Sequence, residues 1–285
     1  MTNNEANKHF NPSGRTRESL AIGSVGALGT TPSPPFAFII PLRSRDSTND
    51  WRAVSRRCNE TIQSLQSQTD STFRIFLVCN EPPFGLTPAA NIEIVKSGFD
   101  VPSNRSERLR DIRDRVKLGM VAASSLGNAF VIRIDADDFL HKRFVEFVRD
   151  SNPPTGFQIA RGYLWNEKTN ALYITNRFGM VCGTSHVIRC SKADFPASFS
   201  TPDDAWLSCI WKHQSINSHL PHSRKILDLP FRAAIQRIGD SNSSSPKRTD
   251  LIYLAARAFR RTLARRPLTQ EIASAFSLPI RNVTK

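Results

Sequence analysis

Apolar residues first gather at Phe36-Ala37-Phe38-Ile39-Ile40-Pro41-Leu42, an unbroken run that predicts a strand covered on both faces. A polar loop, Arg43 to Asn49, leads into a stretch from about Asp50 to Gln68. There Trp51, Val54, Cys58, Ile62 and Leu65 recur at helical spacing and predict a helix with one apolar stripe. Phe73 to Cys79 repeats the strand pattern and stops at Asn80-Glu81-Pro82-Pro83, and Ile92–Val95 predicts a short third strand. A charged stretch from about Arg105 to Leu126 carries Leu109, Ile112, Val116 and Met120 along one side, as a helix would. Ala129 to Ile134 predicts a fourth strand, running straight into Asp135-Ala136-Asp137-Asp138-Phe139, and a helix is expected around Lys142 to Arg149. Strands alternating with helices imply an α/β fold with a mostly parallel central sheet and helices on both faces.

The pattern changes after residue 150. Gly156–Trp165 and Ala171–Thr175 predict a hairpin, Val181–Cys190 a further strand, and Asp203–Trp211 a helix. A final helix is expected from about Thr249 to Arg265, with Leu251, Leu254, Ala255, Ala258, Phe259, Thr262 and Leu263 on one stripe. The chain therefore reads as a Pro-, Ser- and Asn-rich flexible segment (1–35), a main domain (36–245), and a basic amphipathic helix with its tail (246–285).

Charge alters the range of partners. Lys and Arg number 39 against 25 Asp and Glu, a net charge of +14, which favours anions: phosphates, nucleic acid or an anionic membrane face. The bias is strongest near the end, where seven basic residues fall between Lys247 and Arg266 against the single acid Asp250. A basic amphipathic helix over 249–266 is the pattern of peripheral membrane contact, although the same pattern suits a helix packed on the domain with a solvated edge. The basic residues are not interleaved with aromatics, so nucleic acid is the weaker fit. Five cysteines without CxxC spacing read as buried, reduced thiols, and no run approaches the length of a membrane span. A cytoplasmic protein, with contact at the inner membrane face through 249–266, is the expectation.

The chemistry gathers where the fourth strand ends. In open α/β sheets ligands sit beyond the carboxyl ends of strands. Asp135, Asp137 and Asp138 emerge there together, and crowded carboxylates repel unless a cation is shared among them. An Asp-rich turn capping the next helix would have the same composition. A second acidic signal is Pro202-Asp203-Asp204-Ala205-Trp206, where Asp204 or Asp203 would suit a general base and would equally cap a helix.

The strand order, the mid-chain Asp-x-Asp after an apolar strand, and the later acidic pair together resemble the GT-A fold glycosyltransferases. The resemblance is closest to inverting, polysaccharide-assembling bacterial members, and spans roughly Phe36 to Ser245. It implies a Rossmann-like sheet with a smaller hairpin region on the acceptor side. It also implies transfer of a sugar from a nucleotide-sugar donor to a saccharide or lipid-linked acceptor, with Mn²⁺ or Mg²⁺ as cofactor. Under it Asp135 faces the donor and the metal, Asp137 ligates the metal, and Asp204, or Asp203, deprotonates the acceptor. Arg43, Arg45 and Asp46 after the first strand, Asn80 after the second, and Asp114 and Lys117 ahead of Asp-x-Asp fall at donor-binding positions. In the segment Arg237-Ile238-Gly239-Asp240-Ser241-Asn242, Ile238 stands where such enzymes carry a metal-binding His, leaving His219, His222 or a water to complete the shell. Two other readings compete: a haloacid-dehalogenase-type phosphatase with Asp135 as nucleophile, and a basic nucleic-acid- or anion-binding protein without catalysis.

Overall fold

The computed structural model describes residues 33–202, 210, 216–220, 222–239 and 265–279. Its frame is a seven-stranded sheet, and the outcome of strand alternation is plainest in β1 (Phe36–Pro41). Phe36, Phe38 and Ile40 point to one face and meet Trp51, Cys58, Ile62 and Leu65 of α1 (Trp51–Gln66). Ala37 and Ile39 point to the other and meet Val116, Met120 and Ala123 of α2 (Arg105–Ala123). Helices thus cover both faces, and each fully buried Phe, Leu or Ile side chain contributes about 1.5–3 kcal/mol.

Local signals set where the helices begin. The Asp50 carboxylate accepts from the Ala53 N–H at 2.9 Å and caps α1. Asn104 accepts from the Glu107 N–H at 3.0 Å, while Glu107 reaches back to the Ser103 N–H at 2.7 Å, so α2 starts at Arg105. Inside α2, Gly119 lets the helix lie close on the sheet: a Cβ there would come within 2.5 Å of the Ile39 side chain.

Beside β1, the strands β2 (Phe73–Cys79) and β4 (Ala129–Arg133) run parallel to it, and β3 (Ile92–Lys96) runs parallel to β2. The sheet is mixed, however. β9 (His186–Cys190) runs antiparallel to β4 and to β6 (Gly156–Gln158), and β10 (Leu227–Asp228) closes the edge, giving the order β10-β6-β9-β4-β1-β2-β3.

A second, five-stranded sheet lies beyond β4. It holds β5 (Phe139–Leu140), the hairpin β7 (Gly162–Asn166) and β8 (Ala171–Thr175), β11 (Ala234–Ile238) and the edge strand β12 (Arg265–Arg266). Its core joins Phe139, Tyr163, Trp165 and Ile235 to Leu268, Ala273 and Phe276 of the chain's last described stretch. α3 (Phe144–Ser151) follows β5 and packs its Phe144, Val145 and Val148 on the first core.

Three expectations need correction. Gly156–Trp165 is not one strand: β6 and β7 belong to different sheets, because the ladder with β9 ends once the Ile159 N–H has bonded to Ser185 O at 2.7 Å, and Ala160 O then accepts from the Phe178 N–H at 2.9 Å before β7 starts at Gly162. Val181–Cys190 becomes a strand only at His186. Before it comes the short helix α4 (Phe178–Val181), and then Cys182–Thr184, whose polar atoms are used elsewhere. Arg265 and Arg266 form an edge strand on β8 rather than the end of a helix. The remainder of the expected 249–266 helix lies outside the described residues. No described helix is long and apolar enough to cross a membrane, and Cys58, Cys79, Cys182 and Cys190 are buried free thiols.

Candidate functional site

Because β1 to β4 are parallel, their carboxyl ends share one rim. At the end of β4, Ile134 still bonds to Ile39 O at 2.9 Å, and then the chain turns: the Asp138 N–H donates to Asp135 O at 3.1 Å and closes a tight bend. The Asp135 N–H donates to Thr184 Oγ1 at 2.9 Å, fixing the bend against the segment between α4 and β9. Gly183 makes that approach possible, since a Cβ there would lie 2.7 Å from an Asp135 carboxylate oxygen and 2.5 Å from the Arg133 guanidinium.

The three carboxyls of the bend meet different surroundings. Asp138 turns inward and is buried; its Oδ2 accepts from the Thr184 hydroxyl at 2.6 Å and the Cys182 thiol at 2.9 Å. Burial, with Asp135 and Asp137 close by, raises its pKa well above the ordinary value for an aspartate. Burial likewise pushes the Cys182 thiol up, with Asp138 reinforcing it. Asp135 is half-buried and ion-paired: Arg133 Nη2 lies 2.5 Å and Nε 3.2 Å from its Oδ1. Asp137, half-buried, is pushed up to about 6 by burial and then by Asp135, and the charges of Arg237, Arg57 and Arg43, in that order, pull the other way.

Those arginines come from separate elements. Arg237 projects from β11, buried against the rings of Phe139 and Trp165, each centroid 5.1 Å from its guanidinium carbon. The two rings touch edge to face, 5.9 Å between centroids, and the guanidinium lies over the pair. It donates to Glu60 of α1 at 2.6 Å and reaches Glu167 of the β7–β8 turn at 3.5 Å. Arg57 and Arg56 of α1 bind the same Glu167 at 3.3 and 2.9 Å. One ionic network therefore ties α1, the hairpin turn and β11 together beside Asp137.

The other donor-site candidates stand apart from this turn. Arg45 and Asp46 are exposed on a single 3-10 turn, with Arg45 over the Phe84 ring at 5.5 Å. Asn80 faces inward, accepting from Ser97 Oγ at 2.6 Å and Arg115 Nη2 at 3.0 Å and donating to Phe99 O at 2.7 Å. Arg115, buried in α2, is the hub of that junction: it also reaches Ser44 at 2.9 Å, Ser97 at 2.7 Å and Asp111 at 2.9 Å. Asp114 pairs with its neighbour Arg113 at 2.8 Å. Lys117 donates to Thr201 O and lies 5.5 Å from the Phe199 ring centroid. Asp203 and Asp204 lie outside the described residues, as do the side chains of His219 and His222.

Ligand atoms of Asp135, Asp138 and Cys182 lie within 4.8 Å of one another, close enough to share an ion; Asp137 is not in that group. The donor set does not suit a hard divalent ion as it stands. Mg²⁺ and Mn²⁺ favour ionised oxygen ligands. Here one carboxylate is paired with Arg133, the second already accepts two bonds, and the third donor is a thiol whose pKa burial raises further.

The sequence reading missed Arg133, Arg57, Cys182 and Thr184 as neighbours of the acidic turn. Arg237 had a signal, a charge in an otherwise apolar strand segment. The Cys182-Gly183-Thr184 triplet had one too: a small residue flanked by two hydrogen-bonding side chains. No family model matches the chain, and no curated protein matches it in sequence.

Proposed function

We propose that this chain is a glycosyltransferase of the GT-A kind, moving a sugar from a nucleotide-sugar donor to a saccharide or lipid-linked acceptor with inversion. The observation that carries the reading is the Asp135–Asp138 turn. It stands at the carboxyl edge of parallel strands and is pinned to a neighbouring segment through Thr184. It also keeps one half-buried, ionisable carboxylate, Asp137, amid positive charge. Ligands of open α/β sheets gather at that edge. The second sheet, with β5 entering it directly after the turn, supplies an adjacent wall.

In the reaction the acceptor hydroxyl oxygen forms a bond to the anomeric carbon. The bond from that carbon to the donor's diphosphate oxygen breaks, and its electron pair leaves with the diphosphate. The hydroxyl proton passes to a carboxylate, for which Asp204, or Asp203, is assigned. Asp135 and Asp137 orient the donor at the rim, and Asp138, buried and fixed by Thr184 and Cys182, holds the turn's shape.

The test is release of nucleoside diphosphate when the full chain is incubated with UDP-, GDP- and dTDP-sugars and a panel of saccharide acceptors. Asp137→Asn is expected to lower release by at least ~100-fold. Asp204→Asn is expected to remove transfer by about 100-fold or more while donor binding persists. Full activity in both variants, or no release from any donor, rejects the proposal.

A further inference from the structure

We infer that arginine does the cationic work at this rim: the donor's diphosphate is held by Arg43 and Arg57, with Arg237 fixed behind them, and donor binding requires no divalent ion. The inference rests on the donor reading above and goes beyond it by naming what neutralises the leaving group.

Three observations on separate residues converge. First, two oxygens that a metal at this turn would use are engaged. Asp135 Oδ1 holds the Arg133 guanidinium at 2.5 and 3.2 Å, and Asp138 Oδ2 accepts from Thr184 and Cys182 at 2.6 and 2.9 Å. Second, β11 brings to the rim a guanidinium held in place. Arg237 lies over the touching rings of Phe139 and Trp165 and is tied to Glu60, and the adjacent position is the apolar Ile238. Third, arginines from separate elements gather beside the turn: Arg56 and Arg57 pair with Glu167 at 2.9 and 3.3 Å, Arg237 with Glu60 at 2.6 Å, and Arg133 with Asp135 at 2.5 Å. A diphosphate seated there meets guanidinium groups from more than one side.

The chemistry suits the ligand. A guanidinium is permanently charged and planar, and its paired N–H groups match phosphate oxygens two at a time. It therefore stabilises the electron pair that the diphosphate carries away without transferring a proton to it. Arg43 opens the loop just past β1, next to Leu42, whose N–H bonds to Val78 O at 2.9 Å, and Arg57 lies on the helix packed over that strand.

Calorimetric titration of the full, chelator-treated chain with UDP, GDP, dTDP and inorganic pyrophosphate, in EDTA and again in Mn²⁺, tests this. The inference expects at least one nucleoside diphosphate to bind in EDTA with a Kd within about 2-fold of its value in Mn²⁺. Arg43→Gln should weaken that binding by about 10-fold or more in both buffers, and Arg43→Lys by less, since charge is kept and paired bonding lost. Arg133→Gln releases Asp135 and should strengthen Mn²⁺ binding by itself, read by Mn²⁺ electron paramagnetic resonance. Binding that needs Mn²⁺, tighter by 10-fold or more than in EDTA, overturns the inference while the donor reading stands. Absence of nucleotide binding in either buffer overturns both.

Discussion

Two polar clusters occupy the same rim of the central sheet, and they are built on opposite plans. Around Arg115, one buried guanidinium meets Asp111, Ser44, Asn80 and Ser97, so every nitrogen has a partner and the ends of β1, β2 and β3 are strutted together. At the end of β4, three carboxyls are crowded into four residues; one is paired with an arginine, one is buried with its pKa raised well above the ordinary value, and one is raised to about 6. A satisfied cluster rigidifies. A cluster of perturbed carboxyls is where chemistry concentrates. The Arg115 junction is thus scaffold, and the Asp135–Asp138 turn is the site proposed above.

The sharpest way to break this contrast is to remove the strut. Arg115→Met strands the nearly buried Asp111 and three polar side chains, and should cost about 3–4 kcal/mol of stability, read by chemical denaturation. A loss below about 1 kcal/mol would mean that the junction is not structural.

Next in size is a pH effect that belongs to the acidic turn alone. The folded pKa of Asp137 is raised to about 6, so the folded state binds a proton more readily than the unfolded chain. Its contribution is therefore fully present below about pH 4 and is lost as pH rises through about 6, amounting to about 3 kcal/mol. The wild type's stability relative to Asp137→Asn, from denaturation midpoints measured between pH 4 and pH 7, should fall across that window; the comparison cancels the opposing rise from buried His141, whose pKa is lowered to about 4 in both proteins. A difference that stays constant with pH would contradict the assignment.

Gly183→Ala forces a methyl group onto Arg133 and Asp135 and should cost about 1 kcal/mol in a thermal melt. The smallest effect should come from Asp138→Asn. Burial favours the uncharged form of Asp138, so an amide that still accepts from Thr184 and Cys182 should change stability by less than about 1 kcal/mol near neutral pH. A much larger loss would show that the buried group is charged.

The first half of the fold was legible because its signals are local. Apolar runs mark β1, β2 and β4, and capping residues such as Asp50 and Asn104 mark the helix starts. The second half was not, because its breaks are set from a distance. Nothing between Gly156 and Trp165 announces that the ladder with β9 will end after Ile159 and that the chain will then enter another sheet. The site divides the same way. Three carboxyls after an apolar strand could be read directly. That Asp138 faces residues 44 and 46 positions away, and that Arg57 and Arg237 surround Asp137, follows from packing between elements with no shared periodicity. Asn80 shows the reverse error: a donor-facing position by sequence order, it spends its amide on Ser97, Arg115 and Phe99.

The most direct test of the central claim is a crystal structure of the full chain with a nucleoside diphosphate bound. The account predicts the diphosphate at the end of β4, within hydrogen-bonding reach of Arg43 or Arg57 and beside Asp137. A nucleotide seated on another surface, with the Asp135–Asp138 turn closed and untouched, would contradict it.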